Sequence, residues 1–98
     1  MDKSTVIAKL REHEPELKAA GIVRLSLFGS VARGEATPQS DVDLMAEFDA
    51  ARKYTVLDRV HLENQIADIL GAKVDLAHMP MLRDGIRERA VREAVLVF

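Results

Sequence analysis

The chain has 98 residues, 48% of them apolar and 31% charged, with a formal charge of −2 and no cysteine. A length of this order fits one domain, residues 1–98, with a modest core that buries ~60–65% of the unfolded surface. This balance excludes a disordered segment, a disulfide framework and a thiolate metal site, and the acidic charge argues against a non-specific nucleic-acid binder.

No apolar run approaches the ~18 residues of a membrane span. The N-terminus MDKSTVIAKLREHEPELK breaks quickly into charges and has no signal core. A cytoplasmic protein without a membrane partner is therefore expected. In the first helix Ser4 is the expected N-cap, and Val6, Ile7 and Leu10 form the apolar stripe. Pro15 suits the first turn of a second short helix that ends near Gly21. IVRLSLF, residues 22–28, reads as a strand, with Val23, Leu25 and Leu27 alternating against Arg24, Ser26 and Phe28. Residues 29–40 are turn-rich, with room for one helical turn around Val31 to Arg33. VDLMAEF, residues 42–48, is a second strand on which Asp43 faces away from Val42 and Leu44.

Thr55 and Asp58 have the spacing of a capping box, Asp standing where Glu or Gln is usual. The helix they open runs to Gly71, with Val56, Val60, Ile66, Ala67 and Leu70 on one broad face. Glu63 falls at the edge of that stripe, with a buried pairing to Arg or Lys as the lesser alternative. KVDLAH, residues 73–78, is a third strand. After Pro80, Leu82, Ile86 and Ala90 mark a last amphipathic helix. Its Arg83, Arg87, Arg89 and Arg92 alternate with Asp84, Glu88 and Glu93, the pattern of a solvated face, with a partner surface as the rival. The apolar segment Ala94 to Phe98 is expected to pair with or pack on the sheet. If it were exposed, it would be an adhesive edge. Three core strands with helices between them make a small α/β (α+β) layer fold.

Two carboxylates at Asp41 and Asp43 share one strand face and repel each other. A bound divalent cation removes that repulsion, and hard carboxylate oxygens suit Mg²⁺ accompanied by substrate phosphates. Asp75, in the middle of the third strand, is the third candidate ligand. Three carboxylates around two cations form the clamp used for in-line phosphoryl displacement. Gly29 and Ser30 end a strand before a short helix, where free N–H groups and a hydroxyl seat a phosphate. Arg33 is placed to reach a triphosphate or an acceptor, and Gly34 permits the exit turn. Other loops are excluded: no GK[ST] follows the glycines as a P-loop requires, and Met45 and Ala46 break the pattern of an EF-hand. His13, His61 and His78 show no ligand spacing and read as surface or packing residues, with His78 at most a neighbour of the site.

FGSVARGEATPQSDVDL resembles the signature of the nucleotidyltransferase superfamily that includes DNA polymerase β and kanamycin nucleotidyltransferase. That signature is GS, a spacer of about ten residues, and DxD; here the spacer is residues 31–40. The SVARGE and SDVDL details look most like the minimal nucleotidyltransferases (MNT, MntA-like) of bacteria and archaea. The resemblance implies a mixed sheet flanked by helices. It implies nucleotide binding by Gly29 and Ser30, with Arg33 and Ser40 beside them, and catalysis and Mg²⁺ ligation at a two-metal site by Asp41, Asp43 and Asp75. It implies a transferase that moves a nucleoside monophosphate, AMP from ATP, to a hydroxyl. Larger members append a helical domain for the acceptor, so a partner is expected here. The implied partner is a HEPN-type helical toxin that the chain restrains as antitoxin, in a homo- or hetero-oligomer. Two alternatives stay open: a binding module that neutralises a helical partner by contact alone, and a small-molecule (antibiotic) nucleotidyltransferase.

Overall fold

A computed structural model describes residues 2–37, 39–51, 53–78 and 94–98. Helix α1 spans Lys3–Glu12 and α2 spans Glu14–Ala19. Strand β1 covers Ile22–Phe28, α3 Gly29–Ala32, β2 Val42–Phe48, α4 Val56–Leu70, β3 Val74–His78 and β4 Val95–Leu96. The sheet order is β3-β2-β1-β4. β1 and β2 pair antiparallel across the loop that joins them. β2 and β3 pair parallel, because the chain between them crosses over through α4. The sheet is therefore mixed, and β4 adds a fourth, two-residue strand to the three expected. The final amphipathic helix predicted after Pro80 lies outside the described residues.

Local chemistry explains most element ends. Asp2, not Ser4, caps α1: its carboxylate accepts the Thr5 amide at 2.8 Å. An aspartate one position before Lys3 caps at least as well as serine, and it lets the helix start two residues earlier than expected. Pro15 sits in the first turn of α2, and Gly21 follows the Ala20 cap with φ of +108°. Thr55 and Asp58 form the reciprocal capping box, and Gly71 ends α4 in the left-handed conformation.

One sheet face is covered by α1, α2 and α4. Val6, Leu10, Leu17, Leu62, Ile66 and Leu70 pack there against Leu25, Leu27, Leu44 and Leu76. Two parts of the predicted core differ. Val23 is 57% exposed rather than inward. The register shifts between Ile22, opposite Phe48, and Arg24, opposite Glu47, so Val23 is the extra residue of a bulge. In α4, Leu62, Ile66 and Leu70 are buried, whereas Val56 is 70% exposed and Val60 also faces outward. The buried stripe lies to one side of the predicted one. The C-terminal segment closes the other sheet edge as expected. Leu96 pairs with Ser26 and Val95 with Leu27, Val97 donates to Leu25 O at 2.8 Å, and Arg11 Nε donates to Val97 O at 2.7 Å. Among the described residues, no helix is long and apolar enough to cross a membrane.

Candidate active site

The sheet face opposite α1, α2 and α4 carries the candidate carboxylates. Strand alternation sends Val42 and Leu44 into the helix-covered core and Asp43 to the other side. β2 is flanked on both sides, so Asp43 has a partner on each: Phe28 on β1 and Asp75 on β3. Asp75 thus enters the site through parallel register, far along the chain from Asp43. On the same face Met45 is buried against Phe28, Ala77 and Ala94, a small apolar floor beside the acids.

Asp43 is half-buried and holds its proton more tightly than an ordinary aspartate. Burial raises its pKa most, Asp75 and then Asp41 raise it further through like charge, and the Arg33 guanidinium pulls it back. These influences place Asp41, Asp75 and Arg33 within electrostatic reach of one carboxyl. Arg33 also pairs with Glu35, Nε to Oε2 at 3.1 Å. Three carboxylates whose mutual repulsion raises one of them are a donor set that suits a hard divalent cation. Among the described residues, however, no three His, Asp or Glu side chains converge into a finished ligand group.

Gly29 lies directly against the Asp43 side chain. It has φ of +74°, which L side chains rarely adopt. A Cβ at this position would stand 3.1 Å from Asp43 Cγ and 3.2 Å from its Cβ, with the carboxylate oxygen closer still. The glycine therefore does two things: it turns the chain out of β1 into α3, and it leaves the space the Asp43 carboxylate fills. The helical turn begins at Gly29, two residues before the predicted one, so Gly29 and Ser30 form its first residues. Ser40 has a structural partner. Its Oγ accepts the Thr37 amide at 2.9 Å and lies 3.2 Å from Thr37 Oγ1, folding the loop just before Asp41. The geometry thus gathers Gly29, Ser30, Arg33, Asp41, Asp43 and Asp75 at one end of the sheet, with Ser40 shaping the approach.

His78 does not join them. It lies at the opposite end of β3, edge-on to Phe48 at 5.0 Å and tilted to Tyr54 at 5.6 Å, and burial lowers its pKa. Phe48 and Tyr54 stack with centroids 3.7 Å apart. His13 pairs with Glu16 at 3.3 Å, and His61 is exposed. Glu63 is more than a stripe edge: its carboxylate accepts the Leu76 amide at 3.0 Å and lies 3.7 Å from Arg59. A glutamate on an apolar helix face, with an arginine four residues before it, was the available signal for this pairing.

A family model described as nucleotidyltransferase domain matches residues 7–97. Protein adenylyltransferase MntA of Thermococcus cleftensis is 36% identical over 89 residues, covering 90% of this chain and 88% of that protein. A solved minimal nucleotidyltransferase superposes with a TM-score of 0.80 and 42% identity over 97% of this chain and 95% of its own. A chain from the complex of the tri-AMPylated Shewanella oneidensis HEPN toxin with MNT antitoxin gives a TM-score of 0.64 at 18% identity, over 91% of this chain and 70% of that one. At that identity the likeness is one of fold.

Proposed function

The chain belongs to the nucleotidyltransferase domain family, and from that premise we propose that it transfers AMP from ATP to a hydroxyl on a helical HEPN-type partner protein, restraining that partner as an antitoxin. The observation that carries this reading is the fit of Asp43 against Gly29, with Asp75 in register beside it. It joins the two halves of the GS and DxD signature in one place. The name of the Thermococcus relative supports both the adenylyl group and a protein acceptor. The assembly that contains the Shewanella fold-mate supports the class of partner.

In this reading Gly29 and Ser30 hold the β- and γ-phosphates, and Arg33 adds a cation near them. Asp41, Asp43 and Asp75 would hold Mg²⁺, which supplies neutralisation of the triphosphate and of the developing charge when bound. The raised proton affinity of Asp43, caused by burial first and by Asp75 and Asp41 next, fits such a site, because positive charge shared among the three carboxylates favours the ionised form against both influences. Asp75 orients the acceptor hydroxyl and accepts its proton. The acceptor oxygen forms a bond to the α-phosphorus of ATP, the bond from that phosphorus to the bridging oxygen breaks, and pyrophosphate leaves. The apolar floor of Phe28, Met45 and Ala77 limits water beside the acids.

The test is incubation of the chain with α-labelled ATP, Mg²⁺ and a small helical HEPN-type protein from the same organism. Label on that protein is the expected result. An unlabelled partner that is still inhibited would replace transfer with neutralisation by contact.

A further inference from the structure

Among the described residues β3, which carries Asp75, is an edge strand, with β2 on one side only. On such a strand, alternate residues turn both backbone groups away from the sheet, where they need other partners. At Leu76 both groups find them on α4. The Leu76 amide donates to Glu63 Oε2 at 3.0 Å, and Leu76 O accepts from Arg59 Nη1 at 3.4 Å. Arg59 and Glu63 are one helical turn apart and lie 3.7 Å from each other. Together they meet the outward backbone groups of Leu76 as a neighbouring strand would. The peptide that Glu63 holds is the one joining Asp75 to Leu76. The main chain beside this carboxylate is thus fixed on one side by the ladder to Asp43 and on the other by the helix.

We infer that Glu63, braced by Arg59, is a positioning residue for Asp75. Its effect falls on the acceptor step that Asp75 serves more than on nucleotide binding, because its hydrogen bond and ion pair go to β3 and α4, whereas Gly29, Ser30, Asp41 and Asp43 lie on other segments. This rests on the reading of Asp75 proposed above. Glu63 has no contact with the reacting atoms, so its effect runs through the backbone of β3. A displacement of about 1 Å at a reacting group can lower a rate by about a hundredfold.

The experiment compares the full chain with its Glu63→Ala, Glu63→Gln and Asp75→Asn variants in AMP transfer to the helical partner, alongside amide exchange at Leu76. Glu63→Ala is expected to lower kcat about tenfold or more while KM for ATP stays within about twofold. Glu63→Gln keeps an acceptor oxygen for the Leu76 amide and should remain within about threefold of wild type. The Leu76 amide should exchange about tenfold faster in Glu63→Ala than in Glu63→Gln. A Glu63→Ala chain with wild-type kcat beside an inactive Asp75→Asn overturns the positioning role and leaves the transfer reading intact. So does a Glu63→Gln chain as slow as Glu63→Ala, or a rise in KM for ATP that accounts for the loss. If wild type transfers nothing, or Asp75→Asn transfers at the wild-type rate, the transfer reading itself fails and the role of Glu63 falls with it.

Discussion

Gly29 and Asp43 share one small volume: the space a Cβ on residue 29 would need is filled by the Asp43 carboxylate, with Asp43 Cγ only 3.1 Å from that point. The turn from β1 into α3 and the strand that carries Asp43 are thereby locked to each other. A methyl group at residue 29 should disturb both.

Gly29→Ala forces an L residue to φ of +74° and pushes against Asp43. Its stability should fall by about 1–3 kcal/mol in urea denaturation, and AMP transfer should fall by about a hundredfold. Gly34→Ala is the matched control, with the same φ of +74° and nothing within 4 Å of the added carbon. It should lose about 1 kcal/mol of stability while transfer persists.

Asp43→Asn separates chemistry from stability. The Asp43 carboxyl titrates above the ordinary 3.8, through burial first and then Asp75 and Asp41. Its ionisation is thus harder in the folded chain than in the unfolded one. The stability associated with its protonated form is complete below pH 3.8 and is lost as pH rises through the higher folded value. Removing the charge should make the variant as stable as wild type at pH 7, or more stable by up to about 1 kcal/mol, after allowing for solvent screening. That advantage should shrink as the pH falls through the raised folded value and be gone below 3.8. Urea titrations at the two pH values read it directly.

Mg²⁺ should raise the melting temperature of wild type, since binding only to the folded chain stabilises by mass action. Asp41→Asn and Asp43→Asn should remove that rise. An equal Mg²⁺ response in all three proteins would remove these carboxylates from the cation site.

Tyr54 is a structural prediction away from the site. Its hydroxyl is buried and has no hydrogen-bond partner among the described residues, and burial pushes its pKa up to about 12. Tyr54→Phe should be neutral or stabilising by about 1 kcal/mol, because an unsatisfied buried hydroxyl is removed. Wild type should lose stability as pH climbs from 10 through about 12, as the phenolate forms more readily in the unfolded chain. The variant should lack that component of alkaline unfolding.

The strands and the acids were legible because they depend on local patterns. Alternation along VDLMAEF sets the side of Asp43, and the helix between β2 and β3 makes their pairing parallel, which brings Asp75 alongside. Ser4 was a misleading cap because Asp2, two residues earlier, competes for the same orphan amides. Val23 escaped because a bulge is a property of two paired strands, and one strand alone shows only its own alternation. Val56 and Val60 lie on the apolar arc of α4, but the sheet meets the neighbouring arc, and only packing decides between them. The roles of Glu63 and Arg59 depend on α4 lying against the outward backbone groups of Leu76, which the segment 59–63 by itself does not reveal.

The central claim is transfer through the Asp43 site. The most direct measurement is the intact mass of the helical partner after incubation with ATP, Mg²⁺ and either wild type or folded Asp43→Asn. Wild type should add whole AMP units to the partner, and Asp43→Asn should leave its mass unchanged. Equal AMP addition by both proteins, or none by wild type, would contradict the account.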